Sequence, residues 1–224
     1  MATSNDDYYA TRFRPDARRA RLWSHLTSYL SPHVPSGATV LELGAGYCYF
    51  INQIPGARRI AVDLGDHVAA HAGPGVEPVN ADARSYLATL PDASIDFVFA
   101  SNFLEHFDWP DLEAMGRHVL RVLRPGGRLG LIQPNFRLAP GRYFDDYTHR
   151  AIFTDVSLTD WLESLGFRVI ECVPRFLPLT VKSRMGGLTF LVPLYLRSPW
   201  RPLAGQMFVL AERAAEGPRP PGRS

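Results

Sequence analysis

Four short stretches hold the residue types and spacings that could do chemistry. In VLELGAGYCYF, residues 40 to 50, an apolar run ends in an acid, Glu42, and then breaks into two glycines, Gly44 and Gly46, one residue apart. Glycines at such a point remove the Cβ atoms that would hold a ligand off the backbone, and permit dihedrals that other residues avoid. The plainer alternative is a tight strand-to-helix turn with no ligand. In RRIAVDLGD, Asp63 closes a second strand, where a carboxylate can accept hydrogen bonds from both hydroxyls of a ribose. In VEPVNADA, Asp82 is followed by the small Ala83, an acid placed either to accept from an adenine amino group or to cap the next helix. Asp63, coming about 20 residues after the glycine loop, points to a ligand that carries a nucleoside, while Asp82 taken alone is read more simply as the cap. A nicotinamide dinucleotide would want a third glycine so that the helix can carry its pyrophosphate, and that position holds Tyr49.

The fourth stretch, YFDDYTHRAIF, crowds Asp145, Asp146 and His149 among Tyr143, Phe144, Tyr147 and Phe153. A neutral imidazole accepts a proton near neutral pH, and a neighbouring carboxylate can orient it and stabilise the imidazolium that forms. His149 is therefore the candidate base, with Asp145 or Asp146 behind it; the alternative is a loop whose histidine caps or packs. His106, in FLEHF, ranks second, because its neighbours suggest a helix start and a structural or ligand-shielding role. His67 and His71 have i, i+4 spacing but no third ligand nearby in sequence, so no metal is called for.

These residues need elements to hold them. Thr39 to Leu43, Arg59 to Val62, Val76 to Val79, Ile95 to Ala100 and Arg128 to Gln133 read as short strands rich in branched and aromatic residues. Leu112, Met115, Val119, Val122 and Leu123 form one helical face, and Leu158, Trp161, Leu162 and Leu165 another, with Thr154 as N-cap and Gly166 as the left-handed stop. PGG at Pro125 to Gly127 reads as a helix-to-strand turn. Alternating strands and helices predict an α/β fold with a mainly parallel sheet covered on both faces. In such sheets ligands sit outside the carboxyl ends of the strands, where the strand order reverses.

In that order and at those intervals, VLELGAG, AVDLGD, NADA, IDFVFASNFLEHF and LRVLRPGGRLGLIQPN resemble the successive motifs of class I S-adenosylmethionine-dependent methyltransferases, over residues 39 to about 135. The resemblance implies a seven-stranded Rossmann-like sheet with the last strand antiparallel, strands six and seven coming from Phe167 to Val173 and Gln206 to Glu212. It implies S-adenosylmethionine as cofactor, with Glu42 beneath its methionine portion and Gly44, Ala45 and Gly46 lining it. By the same pattern Asp63, with Leu64 beside it, takes the ribose, and Asp82 and Ala83 the adenine. Asn102 then stands on the wall between cofactor and acceptor. The family often has a further glycine where this chain has Cys48, so that side chain must point away from the ligand or narrow the site.

The fourth stretch is similar to a DxTHxxxF segment of small-molecule methyltransferases, with His149 matching their histidine. FDDYTHRAIFT and PRFLPLTVKSR also resemble segments of bacterial methyltransferases of surface-polysaccharide and modified-sugar pathways, which implies O-methylation of a sugar, nucleotide- or lipid-linked. Two rival classes stand beside this reading: a non-catalytic cofactor-binding or scaffolding domain, and a nicotinamide-dependent oxidoreductase, which Tyr49 disfavours.

Composition sets the limits. The 224 residues, 46% of them apolar, suit one α/β domain, expected over 1–215, with the cofactor half at about 35–135 and the acceptor half at 136–212. EGPRPPGRS, from Glu216, is expected to be a disordered tail, and the Arg-rich stretch from Arg12 to Arg21 an early surface helix. A net charge of +2 announces no nucleic acid or anionic membrane as partner. No run of about 20 apolar residues suggests a bilayer span, and two cysteines without an export-like opening suggest a reducing cytoplasm. From Val169 to Trp200, the basic Arg175, Lys182 and Arg184 flank an apolar run, Leu188 to Leu196, expected either as a buried connection or as a rim over an amphipathic or phosphate-bearing acceptor.

Overall fold

The computed structural model describes residues 17–179 and 189–215. Residues 12–16, Lys182, Arg184, Leu188 and the tail from 216 lie outside that description, and with them parts of the expectations above.

Seven strands form one sheet in the order β3-β2-β1-β4-β5-β7-β6. The strands β1 (Thr39–Leu43), β2 (Arg58–Asp63), β3 (Val76–Asn80), β4 (Ile95–Ser101) and β5 (Leu123–Pro134) pair in parallel. β7 (Ala204–Arg213) lies antiparallel between β5 and β6 (Phe167–Pro178). Each strand expected from sequence is present, longer by one or more residues in every case but β1. The central strands are buried on both faces, which is why they read as continuous apolar runs rather than alternating ones.

One face of the sheet carries α4 (Trp109–Val122) and α5 (Asp155–Leu165), whose expected apolar faces pack with Leu41, Leu43, Val98 and Leu131. Thr154 caps α5 as expected: its hydroxyl accepts from the Ser157 amide at 3.0 Å, and the Ser157 hydroxyl returns to the Thr154 amide at 2.9 Å. Such a cap is worth about 1 kcal/mol. Gly166 ends the helix at φ +103°, a dihedral glycine adopts without a Cβ penalty. The opposite face is covered by α1 (Ala17–Leu30), where Leu22, Leu26 and Leu30 recur every four residues and pack into a cluster with Val40, Phe50, Phe99 and Phe208. The early helix is thus longer than its Arg-rich start suggested, and its leucine stripe makes it half core rather than a surface helix.

Short helices α2 (His67–His71), α3 (Ala83–Thr89) and α6 (Val192–Arg197) fill the connections. PGG differs from its expectation. Leu123 already pairs with Ile95, and the register shifts before Phe97 meets Arg128, so Gly126 at φ +79° kinks the ladder inside β5 instead of preceding it. The described part of the apolar run is a turn, Thr189–Leu191, leading into α6, which buries Val192 and Leu196 but leaves Phe190 and Leu194 exposed. Among the described residues, no helix is long and apolar enough to cross a membrane.

Candidate functional site

From β1 the strand order runs to β2 and β3 on one side and to β4 and β5 on the other, so the reversal lies between β1 and β4. The loops that follow these two strands meet there. Leu43, the last residue of β1, sits opposite Ala100, and the chain then turns through Gly44 at φ +66° and Gly46 at φ +51°. A Cβ at Gly44 would stand 2.4 Å from Cδ2 of Phe103, so the absent side chain is what lets the loop after β4 close over the loop after β1.

Glu42 is buried, and one of its oxygens accepts the Ile51 amide at 3.1 Å. Burial raises its carboxyl well above the usual range, only partly offset by that bond, and the nearby Asp63 adds to the rise. Asp63 spans two loops: one oxygen accepts the Gly46 amide at 2.8 Å, the other the Gly65 amide at 2.9 Å. Each oxygen has a second lone pair, so this duty does not exhaust it. Leu64 beside it is exposed. Asp82 caps α3 through the amides of Arg84 and Ser85 and pairs with the Arg84 guanidinium at 3.0 Å, so the capping alternative describes its present contacts; Ala83 is the first residue of that helix. Asn102 follows β4 at φ +48°, a left-handed dihedral that asparagine tolerates better than most residues, and its side-chain oxygen accepts from Gln206 of β7 at 3.1 Å.

Cys48 also has a positive φ, +57°, so it holds a glycine-like conformation with a side chain attached. It is fully buried, with Sγ 3.7 Å from the Val68 carbonyl oxygen, and thus points to α2 and away from the open edge. Burial, with Glu42 and Asp63 nearby, pushes its thiol up to about 12.

The second group gathers where the turn Leu104–His106 meets the segment 140–153. The amides of Arg150 and Ala151 donate to the Glu105 carbonyl at 2.7 and 3.1 Å, and the Tyr143 hydroxyl donates to the Ala151 carbonyl at 2.7 Å. These bonds staple the histidine-bearing segment to the end of β4. His149 Nε2 lies 3.8 Å from Glu105 Oε1, and the His106 and His149 rings are 5.2 Å apart. Thr148 Oγ1 sits 2.9 Å from His106 Nδ1 and donates to Asp146 at 2.6 Å. Burial, then the proximity of His149, lowers His106 to about 4; burial also lowers His149, so both imidazoles are neutral at neutral pH.

His106 and His149 thus come together, with Asp146 one hydroxyl away. Asp145 instead faces Arg142 at 3.7 Å and is exposed. A further carboxyl, that of Glu105, lies 3.8 Å from His149 and was not among the residues singled out by the sequence motifs. It is fully buried, burial raises it to about 8, and neither oxygen has a hydrogen-bond partner. Its signal was an acid between Leu104 and His106 with Phe103 and Phe107 outside them, an apolar setting that asks what the charge is for. Gln206 and Phe103, which touch Asn102 and Gly44, had no readable signal.

The sequence model of a family described as a methyltransferase domain matches residues 16–172. An uncharacterized methyltransferase of Mycobacterium sp. (strain KMS) is 35% identical over 112 residues, 48% of this chain and 42% of that protein, so the chain matches less than half of the relative's length. Among solved structures, a SAM-dependent methyltransferase from Archaeoglobus fulgidus is similar with a TM-score of 0.66 at 21% identity, covering 92% of this chain and 97% of that one. The 1,6-didemethyltoxoflavin-N1-methyltransferase of Burkholderia thailandensis, solved with 1,6-didemethyltoxoflavin and S-adenosylhomocysteine, is similar at 0.58 and 20% identity, over 89% and 80%. At these identities the likeness to solved structures is one of fold.

Proposed function

The chain belongs to the methyltransferase-domain family, and we propose that it transfers a methyl group from S-adenosylmethionine to an oxygen of a small-molecule acceptor, a sugar or sugar-linked intermediate. The observation that carries this reading is Glu42: a buried carboxylate beside Asp63, with one backbone donor, at the point where the glycine loop leaves β1. A buried acid so weakly supported wants a cation. The methionine ammonium of the cofactor is such a cation, so the residues present fit the group. Gly44, Ala45 and Gly46 would line it, Asp63 and Leu64 would meet the ribose and the adenine edge, and Asp82 with Ala83 would border the adenine.

The cofactor supplies a methyl carbon activated by a sulfonium. The chain's own task is to align the acceptor oxygen behind that carbon, keep water out, and deal with the hydroxyl proton. Alignment in a dry pocket can supply several orders of magnitude, and a base adds roughly 10²- to 10⁴-fold. His149, neutral and next to Glu105, is the residue assigned to the proton, while Asn102, held by Gln206, forms the wall between the two ligands. Support for a sugar comes from Phe144 and Tyr147, both exposed beside Asp145: flat aromatic faces and a carboxylate suit a ring of C–H and hydroxyl groups. Incubation with labelled S-adenosylmethionine and pools of sugars, nucleotide sugars, phenols and lipids tests the reading. Label is expected in the sugar pool, and calorimetry on the free protein is expected to show S-adenosylmethionine binding with none for a nicotinamide dinucleotide. Cofactor binding without transfer to any pool would favour the scaffolding alternative.

A further inference from the structure

We propose that Glu105, His106 and His149 form a binding site for a divalent first-row transition cation of the zinc or cobalt kind. One ligand atom from each residue lies within 4.8 Å of the others. Glu105 is fully buried with neither oxygen hydrogen-bonded, and Nε2 of His149 faces it at 3.8 Å. A bare buried carboxyl is costly, and at 3.8 Å from His149 Nε2 Glu105 makes no hydrogen bond to it. A cation between the three groups gives the Glu105 carboxyl the partner it lacks.

The donor chemistry selects the ion. Two imidazoles and one carboxylate suit zinc, cobalt or iron(II), whereas magnesium and calcium want oxygen throughout. The Thr148 hydroxyl has one hydrogen, which it gives to Asp146 at 2.6 Å, so toward His106 Nδ1 it accepts. A carboxylate–hydroxyl chain of this kind orients the ring of a ligating histidine. Ligand atoms around such an ion stand about 3.2 to 3.6 Å apart, so a spacing of up to 4.8 Å has to close by as much as about 1.2 to 1.6 Å, within reach of side-chain rotation.

Three protein ligands leave a coordination position open. Its use rests on the methyl-transfer reading: a hydroxyl held there loses its proton more readily, and His149 then acts as a ligand where a metal-free site would use it as the base. The cation itself does not depend on that reading.

The test takes the full chain, stripped with a chelator and dialysed, and titrates it with zinc by calorimetry and with cobalt by visible absorption. One equivalent is expected to bind, with ligand-field bands for cobalt and a rise in unfolding temperature on adding zinc. Glu105→Gln and His149→Asn are each expected to weaken binding on the order of 100-fold and to abolish the thermal shift. If Glu105→Gln does not fold, His149→Asn and His106→Gln carry the same comparison. No stoichiometric binding at micromolar metal, or binding that all the variants retain, overturns the proposal. Calorimetry with S-adenosylmethionine on the stripped protein separates the two readings: cofactor binding without metal binding sinks the cation alone, and metal binding without cofactor binding sinks the methyl-transfer reading alone.

Discussion

At the β1–β2 end of the open edge, Asp63 gives one oxygen to Gly46 and the other to Gly65; at the end of β4, Glu105 is just as deeply placed and has neither oxygen engaged. Asp82 resembles Asp63, with its carboxylate committed to the start of α3 and to Arg84. Around Asp63 and Asp82 the first region therefore holds its shape through bonds it already makes, and only Glu42, with one backbone donor, awaits a partner from a ligand. The second is held by backbone bonds around Glu105 and by the Thr148 hydroxyl between His106 and Asp146, while the Glu105 carboxyl itself accepts no hydrogen bond, so its polar energy is realised only when something arrives. A pre-organised binding loop beside an unsatisfied cluster suits a site that first docks one molecule and then acts on another.

The largest expected effect lies in the unsatisfied region. His149→Asn keeps a polar group of similar reach but loses the imidazole, so the methyl-transfer rate is expected to fall on the order of 10²-fold or more. S-adenosylmethionine affinity should stay within about twofold, because the ring is packed against Glu105, His106 and Tyr143 and is not assigned to the cofactor. Single-turnover rates and calorimetry on the same preparation measure both. A wild-type rate would reduce His149 to packing against Tyr143, whose ring centroid is 4.8 Å from its own.

Next comes the satisfied region. Asp63→Ala removes the acceptor assigned to the ribose together with the tie between Gly46 and Gly65, each charged bond being worth about 1.5 to 3 kcal/mol. Cofactor affinity is expected to drop at least about tenfold, and stability to fall as well. Affinity unchanged in a destabilised protein would mean that Asp63 only braces the loops, and the contrast between the two regions would then be one of architecture alone.

How far this contrast could be read in advance depends on the range of the interactions. β1, the cap at Thr154 and the stop at Gly166 were legible because each is written in a few adjacent residues. Glu42, Asp63 and Asp82 were legible as positions, since each ends a strand or starts the helix after it, but their present contacts were not. Nothing near Asp63 in sequence says that Gly46 will donate to it. Glu105 was missed because its isolation is created by Ala151, Tyr143 and His149, some 40 residues downstream. Asp145 and Asp146 are close to His149 in sequence, yet adjacent residues point apart: Asp146 reaches Thr148 and Asp145 faces Arg142. The full length of α1 is not written in its Arg-rich start, because the leucines that fix it, Leu22, Leu26 and Leu30, come later.

Glu42→Gln separates stability from binding within the satisfied region. Burial raises the Glu42 carboxyl, so its contribution to the stability of the free protein is fully present below the unfolded value of about 4.3 and is lost as pH rises through the higher folded value. The glutamine does not titrate. Relative to it, the wild type should become steadily less stable as pH rises across that window, which denaturant titrations at a series of pH values would reveal. At neutral pH the same change is expected to weaken S-adenosylmethionine severalfold by removing the charge opposite its ammonium. A variant that bound the cofactor as well as the wild type would place the ammonium elsewhere.

The smallest effect is expected at Cys48, and its sign is informative. At φ +57° an L-residue bears a left-handed cost of roughly 1 to 2 kcal/mol, which glycine escapes. Cys48→Gly gains that relief, but it loses a buried side chain and adds about 0.5 to 1 kcal/mol of unfolded-state freedom, so the net change should lie within about 1 kcal/mol of zero. Cys48→Ala loses the thiol while keeping the Cβ at the same dihedral, and should be the less stable of the two. Since Sγ points at the Val68 carbonyl, neither variant should alter S-adenosylmethionine affinity by more than about twofold. Denaturant midpoints and calorimetry decide the matter together. If alanine proves the more stable, the backbone at position 48 is not held left-handed in solution; if glycine tightens the cofactor tenfold, the side chain reaches the ligand, and the loop after β1 is less finished than the bonds of Asp63 imply.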